Sequence, residues 1–292
     1  MTEFIQLLWS GILNGMLYAL IGLSLVLIFK TARILNFAAG TMAGFTGWFA
    51  WWWATKQGIP FLLAILVAIV MVAVATLLIE RLTIRPLINE NFLSIVTITL
   101  GLEFLIANLS INFFGGRAES LRIPGDIQFK NFEIGGVRFN WWHVVILIST
   151  FIILAIVGYI VNRTELGLAM RAFAEDKDAA RLMGIKESTV SQWTWTLSVT
   201  VGGLAGILFA PVLFLQQDYM NIPFIKGFVA AILGGFTSLS GGVLGGLLLG
   251  ELEAFAVKYA PRQMAAALPV IIVFFILLIR PRGLFTRAKA HE

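Results

Sequence analysis

Apolar runs near 20 residues long recur from one end of the chain to the other, and no other feature constrains its fold as strongly. About 20 apolar residues wound as a helix cross the roughly 30 Å hydrocarbon core of a bilayer. Such runs stand at 5–29, 61–79, 92–113, 143–161, 193–215, 240–258 and 265–279. Two further segments, 37–54 and 224–237, are apolar but short or crowded with small residues. Only 13% of the 292 residues are charged, against roughly 25% in a soluble domain. A water-soluble core has no room for the rest, since 59% are apolar. Soluble enzymes, disordered chains and nucleic-acid-binding proteins are therefore poor readings. The expected fold is an all-α polytopic membrane protein with about eight to nine membrane segments, in one transmembrane domain over 1–292.

The opening MTEFIQLLW lacks the basic stretch of a cleaved signal, so the first run reads as a permanent span. Lys and Arg mark the cytoplasmic gaps. They cluster after the first run (Lys30, Arg33), after 61–79 (Arg81, Arg85), in the gap 162–192, and after the last run (Arg280, Arg282, Arg287, Lys289). This places the N-terminus outside and the C-terminus in the cytoplasm. The gap 114–142, rich in glycine turns, is then external, and Trp51–Trp53 and Trp141–Trp142 fall at the outer interface. The orientation requires 224–237 to cross rather than dip in and return.

Both halves follow a long span with a short, small-residue segment: Ala38-Ala39-Gly40-Thr41-Met42-Ala43-Gly44 in the first, Gly234-Gly235-Phe236-Thr237-Ser238-Leu239-Ser240-Gly241-Gly242 in the second. Taken singly, the glycines fit close helix packing equally well. Their pairing across the halves points to a transporter with duplicated halves.

The gap 162–192 reads as ordered. Asp176 is placed to cap a short helix, Ala179, Ala180, Leu182 and Met183 supply an apolar strip, and Gly184 suits its left-handed stop. Such a helix fits a partner's groove, although the composition alone favours a solvated inter-span loop that happens to be helical. Within the spans, Glu103 is the costliest group, with Thr99 and Asn108 about one turn to either side as a polar stripe. It lines a solute path or holds two spans together; both readings stand. Asn36 is a candidate cap for the following helix. Asn14 and Ser24 fit interhelical hydrogen bonds, and Glu251 and Glu253 point to different faces near the inner end of their span.

With no cysteine and only His143 and His291, the sequence offers no thiolate chemistry and no metal-spaced histidine cluster. It has no Gly-rich loop ending in Gly-Lys-Ser/Thr, so ATP binding by this chain is not expected. A stand-alone ion-coupled transporter using Glu103 and a membrane-embedded transferase are the rival readings. The latter lacks clustered His, Asp or Glu at an interface.

Asp178-Ala179-Ala180, three residues and Gly184 resemble the EAA loop of ATP-binding-cassette importer permeases, with Asp in place of Glu. The stretches RAFAEDKDAARLMGI, YALIGLSLVLIFKTARILNFAAG, LGGFTSLSGGVLGGLLLG and LLIRPRGLF are similar, in order, to the branched-chain amino acid permease family. The resemblance implies a type II-like importer permease bundle in a bacterial inner membrane. It implies as partners a second permease, two cytoplasmic ATPases that use ATP, and an extracytoplasmic binding protein, with no cofactor in this chain. The ATPase-coupling helix maps onto Glu175, Asp176, Asp178, Ala179, Ala180, Arg181, Met183 and Gly184. One departure stands out. The family often has Asn-Phe-Ala-His-Gly-Glu, where this chain has Asn36-Phe37-Ala38-Ala39-Gly40-Thr41. Relatives also carry urea, short amides and small organic acids.

Overall fold

A computed structural model of the chain describes residues 2–87, 90–281 and 283–285. Arg282, Arg287, Lys289 and His291 lie outside the described residues. The helices are α1 (Thr2–Ala32), α2 (Ala39–Trp51), α3 (Phe61–Ile79), α4 (Phe92–Phe114), α5 (Trp141–Arg163), α6 (Glu165–Glu175), α7 (Lys177–Leu182), α8 (Glu187–Leu213), α9 (Asn221–Gly234), α10 (Leu239–Tyr259) and α11 (Arg262–Ile279). Among the described residues, seven helices are long and apolar enough to span a membrane: α1, α3, α4, α5, α8, α10 and α11. α2 and α9 have 13 and 14 residues. At 1.5 Å per residue each is roughly 20 Å long, short of a full crossing. A π-helical turn, Trp52–Lys56, lengthens α2. These two are the irregular segments expected from the sequence.

The two ends of the bundle are defined by contacts. At one end, the Gln6 side chain exchanges hydrogen bonds of 2.9 and 3.0 Å with the Arg138 backbone, and Lys258 pairs with Glu3 at 2.5 Å. At the other, Lys30 and Thr31 lie with Met170 and Arg171 of α6 and Leu239 at the start of α10. α9 leaves the loop 214–220, which bridges to the first end through Glu119 and Leu215, and finishes against Gly241 at the second. It therefore runs through instead of dipping back. α10 points toward the first end, so Glu251 and Glu253 lie in the half of it nearest that end.

The first end carries a small hairpin of β1 (Asn131–Ile134) and β2 (Val137–Asn140), paired antiparallel with Asn131 opposite Asn140. Its two-residue turn is Gly135-Gly136, both at positive φ (60° and 81°), as a tight hairpin turn of this kind requires. The tryptophan clusters lie at this end, but not uniformly as lipid-facing anchors. Trp51 and Trp142 are buried, and the Trp142 indole donates to Leu208 O at 3.2 Å; Trp141 is exposed.

The packing repeats with crossed halves. α1 packs on α10, α8 and α9, and α8 on α2, α1 and α3, so the two long helices meet at the centre, each also against short or long helices of the other half; α11 lies against α9 and α4 against α2. Corresponding helices run in opposite directions, the pattern of an inverted repeat. Small residues permit the closest approaches. A Cβ on Gly250 would lie 2.3 Å from Gly15 N, and one on Gly206 would lie 2.1 Å from Ala43 O. Ser198 Oγ donates to the Ser24 carbonyl at 2.6 Å across α8 and α1, while the Ser24 hydroxyl turns back to Ile21 O. Asn14 is exposed, and the interhelical bond expected for it is not formed among the described residues.

The α6–α7 hairpin and the polar groups within the bundle

The segment joining α5 to α8 is two helices set at a sharp joint, rather than one short helix on a loop. α6 begins where Thr164, after the end of α5, accepts from Gly167 N at 3.2 Å. Gly167 is required there, because a Cβ would stand 2.3 Å from the carbonyl oxygens of Ile160 and Val161. Gly167, Met170 and Phe173 form the buried face of α6, which packs on α1, α5 and α8. The Arg171 guanidinium donates to Val161 O and so ties α6 to the last turn of α5.

Asp176 ends α6 and caps α7, its carboxylate accepting from Asp178 N at 2.9 Å and Ala179 N at 3.0 Å. This is the cap expected from the sequence. Gly184, at φ +82°, stops α7. Its N–H bonds to Arg181 O at 3.0 Å and the Ile185 N–H reaches Ala180 O at 3.1 Å, a Schellman pair. Lys177 and Arg181 converge on Glu187 in the first turn of α8, and Asp178 lies 3.4 Å from Arg181. The hydrogen bond and charge of Glu187 hold the Arg181 pKa above the ordinary arginine value.

The apolar strip of α7 divides. Ala180 is buried toward the bundle, whereas Ala179 is exposed and Leu182 and Met183 are 88% and 83% exposed. Glu175 and Asp178 are exposed on the same hairpin. Full burial of a leucine or methionine side chain is worth about 1.5–3 kcal/mol. Two such side chains, side by side on a doubly capped tip, make a rigid apolar knob.

The polar stripe expected on α4 does not form. The inward face of α4 is Ile95, Thr99, Leu102, Ile106 and Ser110. Glu103 is half-buried to one side of it, and Asn108 is exposed, bonding Phe104 O of its own helix at 2.7 Å. The five residues from 103 to 108 turn about 500° at 3.6 residues per turn, which carries Asn108 well off the Glu103 face. Asn36 is buried but is not the cap of α2; Ala38 holds that position. Asn36 Oδ1 accepts from Ala38 N at 3.0 Å, turning the chain two residues earlier, and Nδ2 lies 3.9 Å from Met42 Sδ. The departures at Ala39 and Thr41 fall on the first turn of α2, on either side of Gly40, where a Cβ would meet the Phe224 side chain at 2.8 Å.

Two clusters went unread in the sequence. Lys226 of α9 pairs with Glu253 of α10, and the Tyr18 hydroxyl of α1 donates to Glu253 Oε2 at 2.8 Å while accepting from Lys226 Nζ at 3.0 Å. A lone lysine inside an apolar segment was the available signal. At the end of α3, the fully buried Glu80 pairs with Arg85 at 3.2 Å.

A multi-span bundle of crossed inverted halves, with a capped hairpin projecting from one end, defines a membrane transport protein. The chain matches the family model described as the branched-chain amino acid transport system / permease component over residues 7–279, and it belongs to that family. It is 26% identical to the high-affinity branched-chain amino acid transport system permease protein BraD of Pseudomonas aeruginosa, over 99% of this chain and 98% of that protein. It is 26% identical to the permease protein LivH of Escherichia coli K12 (99% and 97% covered). It is also 28% identical to a probable branched-chain amino acid transport permease protein LivH of Methanocaldococcus jannaschii (96% and 91% covered). No solved structure matches the chain.

Proposed function

We propose that this permease is one transmembrane subunit of an ATP-driven importer carrying branched-chain or related small amino acids across a bacterial-type inner membrane. Its partners are a second permease, two cytoplasmic ATPases that bind and hydrolyse ATP, and an extracytoplasmic binding protein. The α6–α7 hairpin faces the cytoplasm, the β-hairpin end faces outward, and the N-terminus is outside. The single observation that carries the reading is the exposed Leu182–Met183 knob on a helix fixed by Asp176 and Gly184.

The knob seats in a groove of an ATPase. Motion of that groove passes through α7 to Glu187 of α8, and through α6 to α1 and α5. These are the two long central helices and a peripheral one, so a shift at the tip moves both crossed halves. Coupling of this kind requires that the knob make different contacts in the two transport states. The names of the full-length relatives support the substrate class.

The reading is tested by rebuilding the complex in vesicles. ATP-dependent uptake of L-leucine is expected when the ATPases and binding protein are present. Equal uptake by this chain alone, without nucleotide, overturns it in favour of an ion-coupled carrier.

A further inference from the structure

We propose that Lys226 and Glu253 form a binding site for the two charged heads of a zwitterionic solute, on the groove between α9, α10 and α11. The inference rests on the amino-acid importer reading and adds to it the place where the solute meets this chain.

Charged side chains at membrane depth are expensive and face the protein interior or a water-filled path. Lys226 sits in the second turn of α9 and Glu253 in the last two turns of α10, with side chains 19% and 15% exposed. That residual exposure opens onto a groove of about 690 Å³ lined by both residues. Pockets for small organic ligands fall in the range of about 300–1,000 Å³. Its walls include Ile222, Ile225, Val257 and Val270, an apolar surface suited to an aliphatic side chain. Arg262 lines it as well, at the start of α11, near the β-hairpin end of the bundle.

The chemistry of the pair matches one class of ligand. An α-amino acid carries an ammonium and a carboxylate on the same carbon atom. Its carboxylate can meet the Lys226 ammonium while its ammonium meets the Glu253 carboxylate, closing a ring of alternating charges. The Tyr18 hydroxyl touches both protein heads, at 2.8 and 3.0 Å, and fixes their separation. A bare carboxylic acid or a bare amine satisfies only one head and leaves the other desolvated, which is how such a site rejects it. A buried ion pair that served only as a brace gains little over an apolar contact of the same volume. Here the pair also borders open space.

The test uses the absence of cysteine from this chain. Ala266, exposed on the groove wall, is replaced by cysteine in the complete transporter complex in vesicles whose outer face is accessible. A membrane-impermeant methanethiosulfonate is expected to label Ala266→Cys from outside. L-leucine with the binding protein is expected to slow labelling at least threefold, whereas 4-methylpentanoate and 3-methylbutylamine leave it unchanged. A thiol that does not react, or a rate indifferent to leucine in vesicles that import leucine with ATP, overturns the site. Absence of ATP-driven leucine uptake by the unmodified complex overturns the importer reading, and the site falls with it. A charge swap separates brace from site. Lys226→Glu with Glu253→Lys restores a brace, and is expected to return assembly but leave the half-saturation for leucine raised at least tenfold. Wild-type uptake from the swap, or from Lys226→Met or Glu253→Gln alone, contradicts the proposal; if these variants do not assemble, the labelling result decides.

Discussion

In the α1–α10 seam, glycine brings two backbones together; in the α6–α7 hairpin, Gly184 meets nothing within 4 Å of where its Cβ would be and serves to stop a helix. The seam is buried, its small residues chosen by the volume of a neighbour. The tip of the hairpin around α7 is largely exposed, and its capping residues Asp176 and Gly184 are chosen by backbone conformation. The same residue type therefore carries two meanings. In the seam it makes a close backbone contact. At Gly184 it shapes an exposed tip and touches no neighbouring helix. Substitutions in the two regions should separate accordingly, with assembly lost in one and uptake lost in the other.

The largest effect is expected at Gly250. Its Cβ would lie 2.3 Å from Gly15 N and 2.4 Å from Gly11 O, both backbone atoms that cannot swing away. Gly250→Leu should cost about 3 kcal/mol or more through overpacking, seen as loss of a monodisperse peak in size-exclusion chromatography. A normal peak would mean that the seam can part without unfolding. Gly184→Arg comes next. The position has room but demands φ +82°, which arginine adopts with strain. The variant should insert and assemble normally while uptake falls at least tenfold and ATP hydrolysis no longer follows transport.

A smaller change is expected from Asp176→Ala, which removes the acceptor for the Asp178 and Ala179 amides. An N-cap of this kind is worth about 1 kcal/mol. Hydrogen exchange should quicken at those two amides, with exchange in α1 and α10 unchanged. The smallest belongs to Glu103→Gln. Glu103 lies beside, not on, the inward face of α4, and α4 is a peripheral helix with much of its surface exposed. Leucine uptake should stay within twofold of the parent, and a tenfold loss would move the solute path to α4.

Much of this division was legible in the residues. Apolar run length placed the membrane segments because one physical quantity, the thickness of hydrocarbon, sets it. Asp176 and Gly184 were readable because caps act within four residues of themselves. What escaped depends on three-dimensional neighbours. Thr99 and Glu103, four residues apart, stay within about 40° of one another, but the further five residues to Asn108 turn it well off their face. Ala179, Leu182 and Met183 read as a contact strip, yet only Ala180 turns inward, because the sharp joint at Asp176 fixes the roll of α7. The join of Lys226 to Glu253 and Tyr18 required α9, α10 and α1 to meet, and nothing local to α9 says which helices those are.

The most direct measurement compares the purified transporter complex carrying Leu182→Asp and Met183→Asp with its parent. Both side chains are more than four-fifths exposed and hold no part of the bundle. The account predicts a folded, correctly inserted permease from which the ATPases dissociate readily, with ATP-driven leucine uptake reduced at least tenfold. Parental ATPase retention and parental uptake from that double variant would contradict the claim that work enters this protein at the hairpin tip.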